Sequence, residues 1–161
     1  FNWSEDIVGY SLGFIGLLAA IVQGGLIRVI IPKLGNIKSV YFGMFFYILG
    51  LSLISLAQES WMIFAFAIPL SLGGISGPAL QGIMTNNIPD DEQGEFQGGM
   101  TSLVSLTAII GPLLMTNLFS YFTSESTYYY FPGAPFMLGA VLSVFGLINA
   151  IRFLSGSKIK Y

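Results

Sequence analysis

The chain has 161 residues, 54% of them hydrophobic and only 9% charged, with a mean hydropathy of +0.77. A soluble domain carries about 25% charged residues, so the composition reads as a polytopic membrane protein. A formal charge of −2, no cysteine and no histidine exclude a disulfide framework and thiol chemistry, remove the commonest metal ligand and general base, and leave no basic patch for nucleic acid.

Six basic and eight acidic residues divide the sequence into charge-free stretches at 7–27, 39–58, 60–89, 96–124 and 126–151. Each is as long as the ~20 residues an α-helix needs to cross a bilayer, and none alternates as barrel strands do. The expected fold is all-α, with five transmembrane helices at about 7–31, 39–57, 61–84, 96–122 and 133–153. The sequence begins at Phe1, without a Met or the regions of a signal peptide, and reads as a piece of something longer.

At ~100° per residue, the first span gathers Gly9, Gly13, Gly16, Ala20 and Gln23 in one sector, with Phe14, Leu18, Val22 and Val29 opposite. Small residues let helix backbones approach closely in lipid, where association comes from packing and hydrogen bonds. This span should face the protein interior with one amide in its seam. The second span is mainly Phe, Leu, Ile, Val and Met, and reads as peripheral and lipid-facing.

The third span repeats the first, clustering Gly74, Gly77, Pro78 and Gln81 with Ala67 and Leu70. Its prolines, Pro69 and Pro78, each delete an intrahelical hydrogen bond and should bend the helix. The acidic loop "NNIPDDEQGEFQGG" follows. Pro89 suits a first helical position, and Asp90, Asp91 and Glu92 would then complement the helix dipole. A Ca²⁺ loop would alternate its ligands around a Gly and end in Glu, a pattern not found here, and no metal or other cofactor is expected.

In the fourth span Gly98, Ser102, Ser105, Ile109, Pro112 and Thr116 form a small, hydroxyl-rich stripe. The fifth span is again lipid-facing, with a narrow stripe of Gly139, Ser143, Gly146 and Ala150. Gln23, Gln81, Ser102 and Ser105 have an ordinary reading as interhelical glue worth ~0.6 kcal/mol each. Together, on three nominally inner helices, they favour a polar substrate pathway. No span carries an ionisable group near its midplane, where ion coupling normally resides.

Orientation follows from the bases. Arg28, Lys33 and Lys38 lie in one polar segment and Arg152, Lys158 and Lys160 in another, all on one side of a five-span chain. Short basic loops are cytoplasmic, which puts Phe1 outside and Tyr161 inside a cell (inner) membrane. Trp3, Trp61 and Tyr128 to Phe131 then fall at the outer interface, as aromatic belts do. An external N-terminus implies at least one span upstream.

"GGISGPALQGIM" and "DDEQGEFQGGMTSLVSLTAIIGPLL" resemble the tenth helix, cytoplasmic loop and eleventh helix of the major facilitator superfamily, within it the drug:proton antiporters of the tetracycline-efflux type. "FNWSEDIVGYSLGFIGLL" with Gln23 is similar to the outer loop and eighth helix. The resemblance implies helices eight to twelve of twelve, a partial C-terminal transmembrane domain. "RVIIPKLGNIK" resembles the second copy of the superfamily's loop motif G-x-x-x-D-R-x-G-R-R: Lys33 and Gly35 match, while Arg28 and Pro32 replace Gly and Asp. Read by itself it is a basic cytoplasmic turn. The tetracycline exporters carry a His in the eighth helix where Ala19 stands, a departure that speaks against tetracycline itself.

The resemblance further implies alternating access about a central site, with proton coupling through the N-terminal half. The expected function is proton-coupled efflux of small amphipathic drugs or metabolites across the bilayer. An uptake carrier for sugars or organic ions shares the fold, and a structural membrane subunit is a further alternative. An enzyme is not expected, since the spans contain no His, Cys, Asp or Glu.

Overall fold

The computed structural model describes residues 1, 3–124 and 127–156; Lys158, Lys160 and Tyr161 lie outside them. Among the described residues five helices are long and apolar enough to cross a membrane: α1 (Glu5–Leu34), α2 (Asn36–Ser55), α3 (Ser60–Asn86), α4 (Gln93–Thr123) and α5 (Ala134–Gly156). Among the described residues no strand occurs. Each helix contains its expected span to within a few residues. α1, α2, α4 and α5 overrun their charge-free stretches, while α3 stays inside 60–89, because a charge ends the membrane, not the helix. α1 continues past Arg28 and Lys33 until Gly35, whose φ of 78° lies in the left-handed region that glycine enters at no steric cost.

Two helices are interrupted. In α1 the residues Val22–Leu26 form a π turn. In α3 the residues Gly73–Ile75 form a 3₁₀ turn, between the positions where Pro69 and Pro78 remove amide donors. The expected bend of α3 is thus realised as a break.

Helix α2 is the hub. It packs along α3, against α5 and against the segment Ile27–Leu34 of α1, and Ser39, Val40, Gly43, Gly50, Leu51 and Ser55 are buried on it. The expectation that α2 is peripheral is therefore corrected. Its glycines are the reason. A Cβ on Gly43 would come within 2.5 Å of the Ser76 amide nitrogen, and one on Gly50 within 2.5 Å of that of Leu70. From the other side, a Cβ on Gly73 would meet Tyr47 Cβ at 2.6 Å. A bulky Phe- and Leu-rich composition concealed these contact points. α5 meets α2 through its own stripe, Gly139 against Leu51 and Gly146 against Met44, while Val141, Leu142, Phe145 and Ile148 are exposed.

At one end of the bundle Val40, Ala79 and Ile83 form a core with Ile31, Ile37, Tyr41, Met44, Ala150 and Leu154 around it. Arg28, Lys33, Lys38, Arg152 and the acidic loop flank this end in sequence. At the other end the Trp3 indole Nε1 donates to Ser60 Oγ at 2.8 Å. Trp3 and Phe14 both stack near Phe64, with centroids 5.9 and 5.6 Å away. The bases and the aromatic belt thus occupy opposite ends, the separation expected of a membrane protein.

The start of α4 differs from expectation. Pro89 to Glu92 form a turn closed by the Glu92 amide on the Pro89 carbonyl at 3.0 Å, and the helix begins at Gln93. Pro89 is therefore not a first helical residue, because this bond spans three residues rather than the four of an α-turn. Asp90 accepts a hydrogen bond from Gln93 Nε2 at 3.2 Å. Glu95 alone is an acid within the first helical turn.

Candidate substrate pathway

Within the chain, α1 turns Ser11, Phe14, Leu18 and Val22 toward the bundle, while Gly9, Gly13, Gly16, Ala20 and Gln23 are exposed. The small-residue face is present as read from the sequence, and no described residue covers it. A Cβ on Gly9, Gly13 or Gly16 would touch nothing within 4 Å. Gln23 sits inside the π turn.

In α3 the cluster divides at the 3₁₀ turn. Ala67 is buried and Leu70 packs on Gly50, whereas Gly74, Gly77, Pro78 and Gln81 are exposed. A 3₁₀ turn advances ~120° per residue instead of ~100°, so three such residues rotate the following helix by ~60°. The upper part of the stripe therefore faces α2 and the lower part faces away.

The two breaks touch each other, Val22–Leu26 against Gly73–Ile75. Because α1 and α3 run in the same direction, Gln23 is level with the 3₁₀ turn. Gln81 lies seven residues beyond Gly74, about 10 Å deeper along the helix. The two amides line neighbouring helices at different depths, and among the described residues neither has a hydrogen-bond partner.

Helix α4 buries no residue and packs substantially only on α5. Of its partly covered residues, Gly111, Met115, Leu118 and Phe122 recur at helical spacing on one face. The stripe of Ser102, Ser105, Pro112 and Thr116 lies opposite and is exposed. Ser102 Oγ donates to the Gly98 carbonyl at 2.9 Å, Ser105 Oγ to Thr101 at 2.8 Å and Thr116 Oγ1 to Pro112 at 2.7 Å. Such back-bonding satisfies each hydroxyl proton within its own helix and leaves the oxygen lone pairs as acceptors. The structure does not bring this stripe against the two glutamines. Lys33 is exposed just before Gly35, which supplies the positive-φ turn between α1 and α2.

The common property of α1, α3 and α4 is an open face of small residues, amides and hydroxyls, on helices long enough to span a bilayer. The Major Facilitator Superfamily profile matches residues 1–158. This chain belongs to the Major Facilitator Superfamily. Among characterised proteins it is 37% identical to the class C tetracycline resistance protein of Escherichia coli, over 88% of this chain and 35% of that protein. It is 36% identical to the class E tetracycline resistance protein of Escherichia coli, over 99% of this chain and 38% of that protein. It is also 25% identical to the human hippocampus abundant transcript-like protein 1, over 98% of this chain and 35% of that protein. The chain thus spans little more than a third of the length of these relatives. No solved structure shows significant similarity to it. As a superfamily member with five long apolar helices, it is a multi-pass membrane protein.

The π turn leaves no mark in the sequence, because Leu26, Ile27, Val29, Ile30 and Ile31 are all apolar and either register of the helix offers an apolar face.

Proposed function

We propose that this chain is the C-terminal five-helix portion, helices eight to twelve of twelve, of a proton-coupled exporter of small amphipathic drugs or metabolites that works by alternating access. The observation that carries this reading is the set of uncovered, amide- and hydroxyl-bearing faces on α1, α3 and α4. Lipid is a poor neighbour for an amide with no partner, so these faces belong against a polar cavity and the rest of the transporter. The names of the bacterial relatives support drug efflux. The coupling acids belong to the N-terminal half, in keeping with charge-free stretches at 7–27, 39–58, 60–89, 96–124 and 126–151.

The full-length protein, expressed in a drug-sensitive host, should lower accumulation of at least one amphipathic drug, and a protonophore should abolish the effect. The 161 residues expressed alone should give none. Export of drug by these residues alone, or no effect of the full-length protein on any amphipathic drug tested, would reject the proposal.

The proposed orientation places Phe1 outside and the bases within the cytoplasm of a cell (inner) membrane. Cysteines introduced at Lys33 and Asp91 should be shielded from an impermeant thiol reagent in intact cells, while those at Gln58 and Tyr128 should react. Labelling at Asp91 from outside would overturn the topology.

A further inference from the structure

α1 carries two packed faces that an ordinary helix could not align. Its outer half turns Ser11, Phe14, Leu18 and Val22 toward the bundle. At ~100° per residue an uninterrupted helix would continue that face through Gly25, Val29 and Lys33. These three are exposed instead, and Leu26, Ile27, Ile30 and Ile31 are the covered residues, with Ile31 packed on the core around Val40. The π turn makes the difference. The Ile27 amide donates to the Val22 carbonyl, five residues back, so the wider turn absorbs one extra residue and rotates everything after it by ~100°.

We propose that this π turn is a register switch: α1 alternates between the π form and an uninterrupted α-helix, turning the segment Ile27–Leu34 about its axis and exchanging Ile31 for Val29 at the contact with α2. Three independent features make the segment free to turn. It is bounded by glycines on both sides, Gly24 and Gly25 in the π turn and Gly35 at φ 78°. A Cβ on Gly24 or Gly25 would meet nothing within 4 Å, so no described residue obstructs rotation there. The segment is eight residues long and buries none of them.

The exchange is also inexpensive in a bilayer. Lipid is as apolar as the protein core, so an isoleucine moved from α2 to lipid loses packing but no hydrophobic driving force. Lys33, beside the end of α1, can extend its long chain to the interface in either register. The outer half cannot follow, because Trp3 and Phe14 fix it to α3. The movement is therefore confined to the half of α1 that follows Gln23.

Thiol reactivity reads the switch directly, since these 161 residues contain no native cysteine. Single Val29→Cys and Ile31→Cys variants of the full-length protein would be labelled with a membrane-permeable maleimide in inverted vesicles. The vesicles would be energised, treated with protonophore, or loaded with tetracycline as a probe ligand. In at least one pair of conditions the two variants should change reciprocally by fivefold or more, one rising as the other falls. Constant reactivity in all three conditions, or a change in the same direction at both positions, would overturn the switch.

Deleting Gly24 removes the extra residue while keeping Ile31 on the packed face. Yield should stay close to that of the parent, the reactive Val29→Cys and protected Ile31→Cys pattern should become fixed, and transport should fall at least tenfold. Reciprocal changes that persist in the deletion variant would reject the mechanism. If the deletion variant does not reach the membrane, Gly24→Ala with Gly25→Ala takes its place, because alanine favours the uninterrupted α form. The pattern should then be fixed the other way, and an unaltered parental pattern would count against the switch. The inference rests on the transport reading only for the drug assay. Reciprocal labelling without any export would reject that reading and leave the switch intact.

Discussion

Replacing Gly50 by valine in the full-length protein is expected to reduce the yield of folded, monodisperse protein at least tenfold. Any Cβ at this position lies 2.5 Å from the Leu70 amide nitrogen and 2.6 Å from its Cα, so the obstruction is backbone and no rotamer change relieves it. Overpacking of this kind costs about 1–3 kcal/mol, and each ~1.4 kcal/mol is a factor of ten in population. Gly43 against Ser76 should behave in the same way. Gly74→Ala is the matched comparison in the partner helix, since a Cβ there would touch nothing within 4 Å, and it should leave α2 and α3 joined. Size-exclusion profiles of detergent-solubilised variants distinguish the outcomes. A normal profile for Gly50→Val would mean that α2 and α3 do not approach as closely as described.

The second large effect is expected at Gln81. Its amide lies in a membrane-spanning helix, is exposed, and has no partner among the described residues. If the open faces border the substrate cavity, Gln81→Ala removes a donor and an acceptor from the pathway. At about 0.5–1.5 kcal/mol per net hydrogen bond, the apparent substrate affinity should fall by up to about tenfold, with expression close to normal. Phe145→Ala supplies the control, because Phe145 is 60% exposed on the outer side of α5 and should leave transport unchanged. A loss of folded yield at Gln81→Ala without any change in transport kinetics would instead make the amide a structural bond to another part of the protein.

Charge spacing was enough to locate five helices, because a bilayer imposes one length on every span and excludes charge from it. Which faces are small and polar was equally legible in α1, α3 and α4, since helical periodicity survives wherever the helix is regular. The sequence was silent where regularity fails. The π turn at Val22–Leu26 shifts the covered residues by one position, and the 3₁₀ turn at Gly73–Ile75 divides a stripe that looked continuous. The central place of α2 was hidden for another reason. Two glycines, Gly43 and Gly50, decide which helix α3 can approach, and eighteen bulkier neighbours on the same 20-residue helix outweigh them in any average. The four-residue delay at the start of α4 has the same origin, since Pro89 is compatible with both a turn and a helix start.

The clamp at Trp3 makes the N-terminal end of α1 observable by light. An indole that donates its N–H to Ser60 Oγ while flanked by Phe1 and Phe64 has an emission set by that hydrogen bond and by its shielding from water. Trp61, the second tryptophan, is 60% exposed and can be replaced by phenylalanine to isolate the signal within these residues. Trp3 emission that holds steady through a transport cycle would identify the N-terminal ends of α1 and α3 as a fixed fulcrum. A red shift on drug addition would instead time the parting of the two helices, without any attached dye.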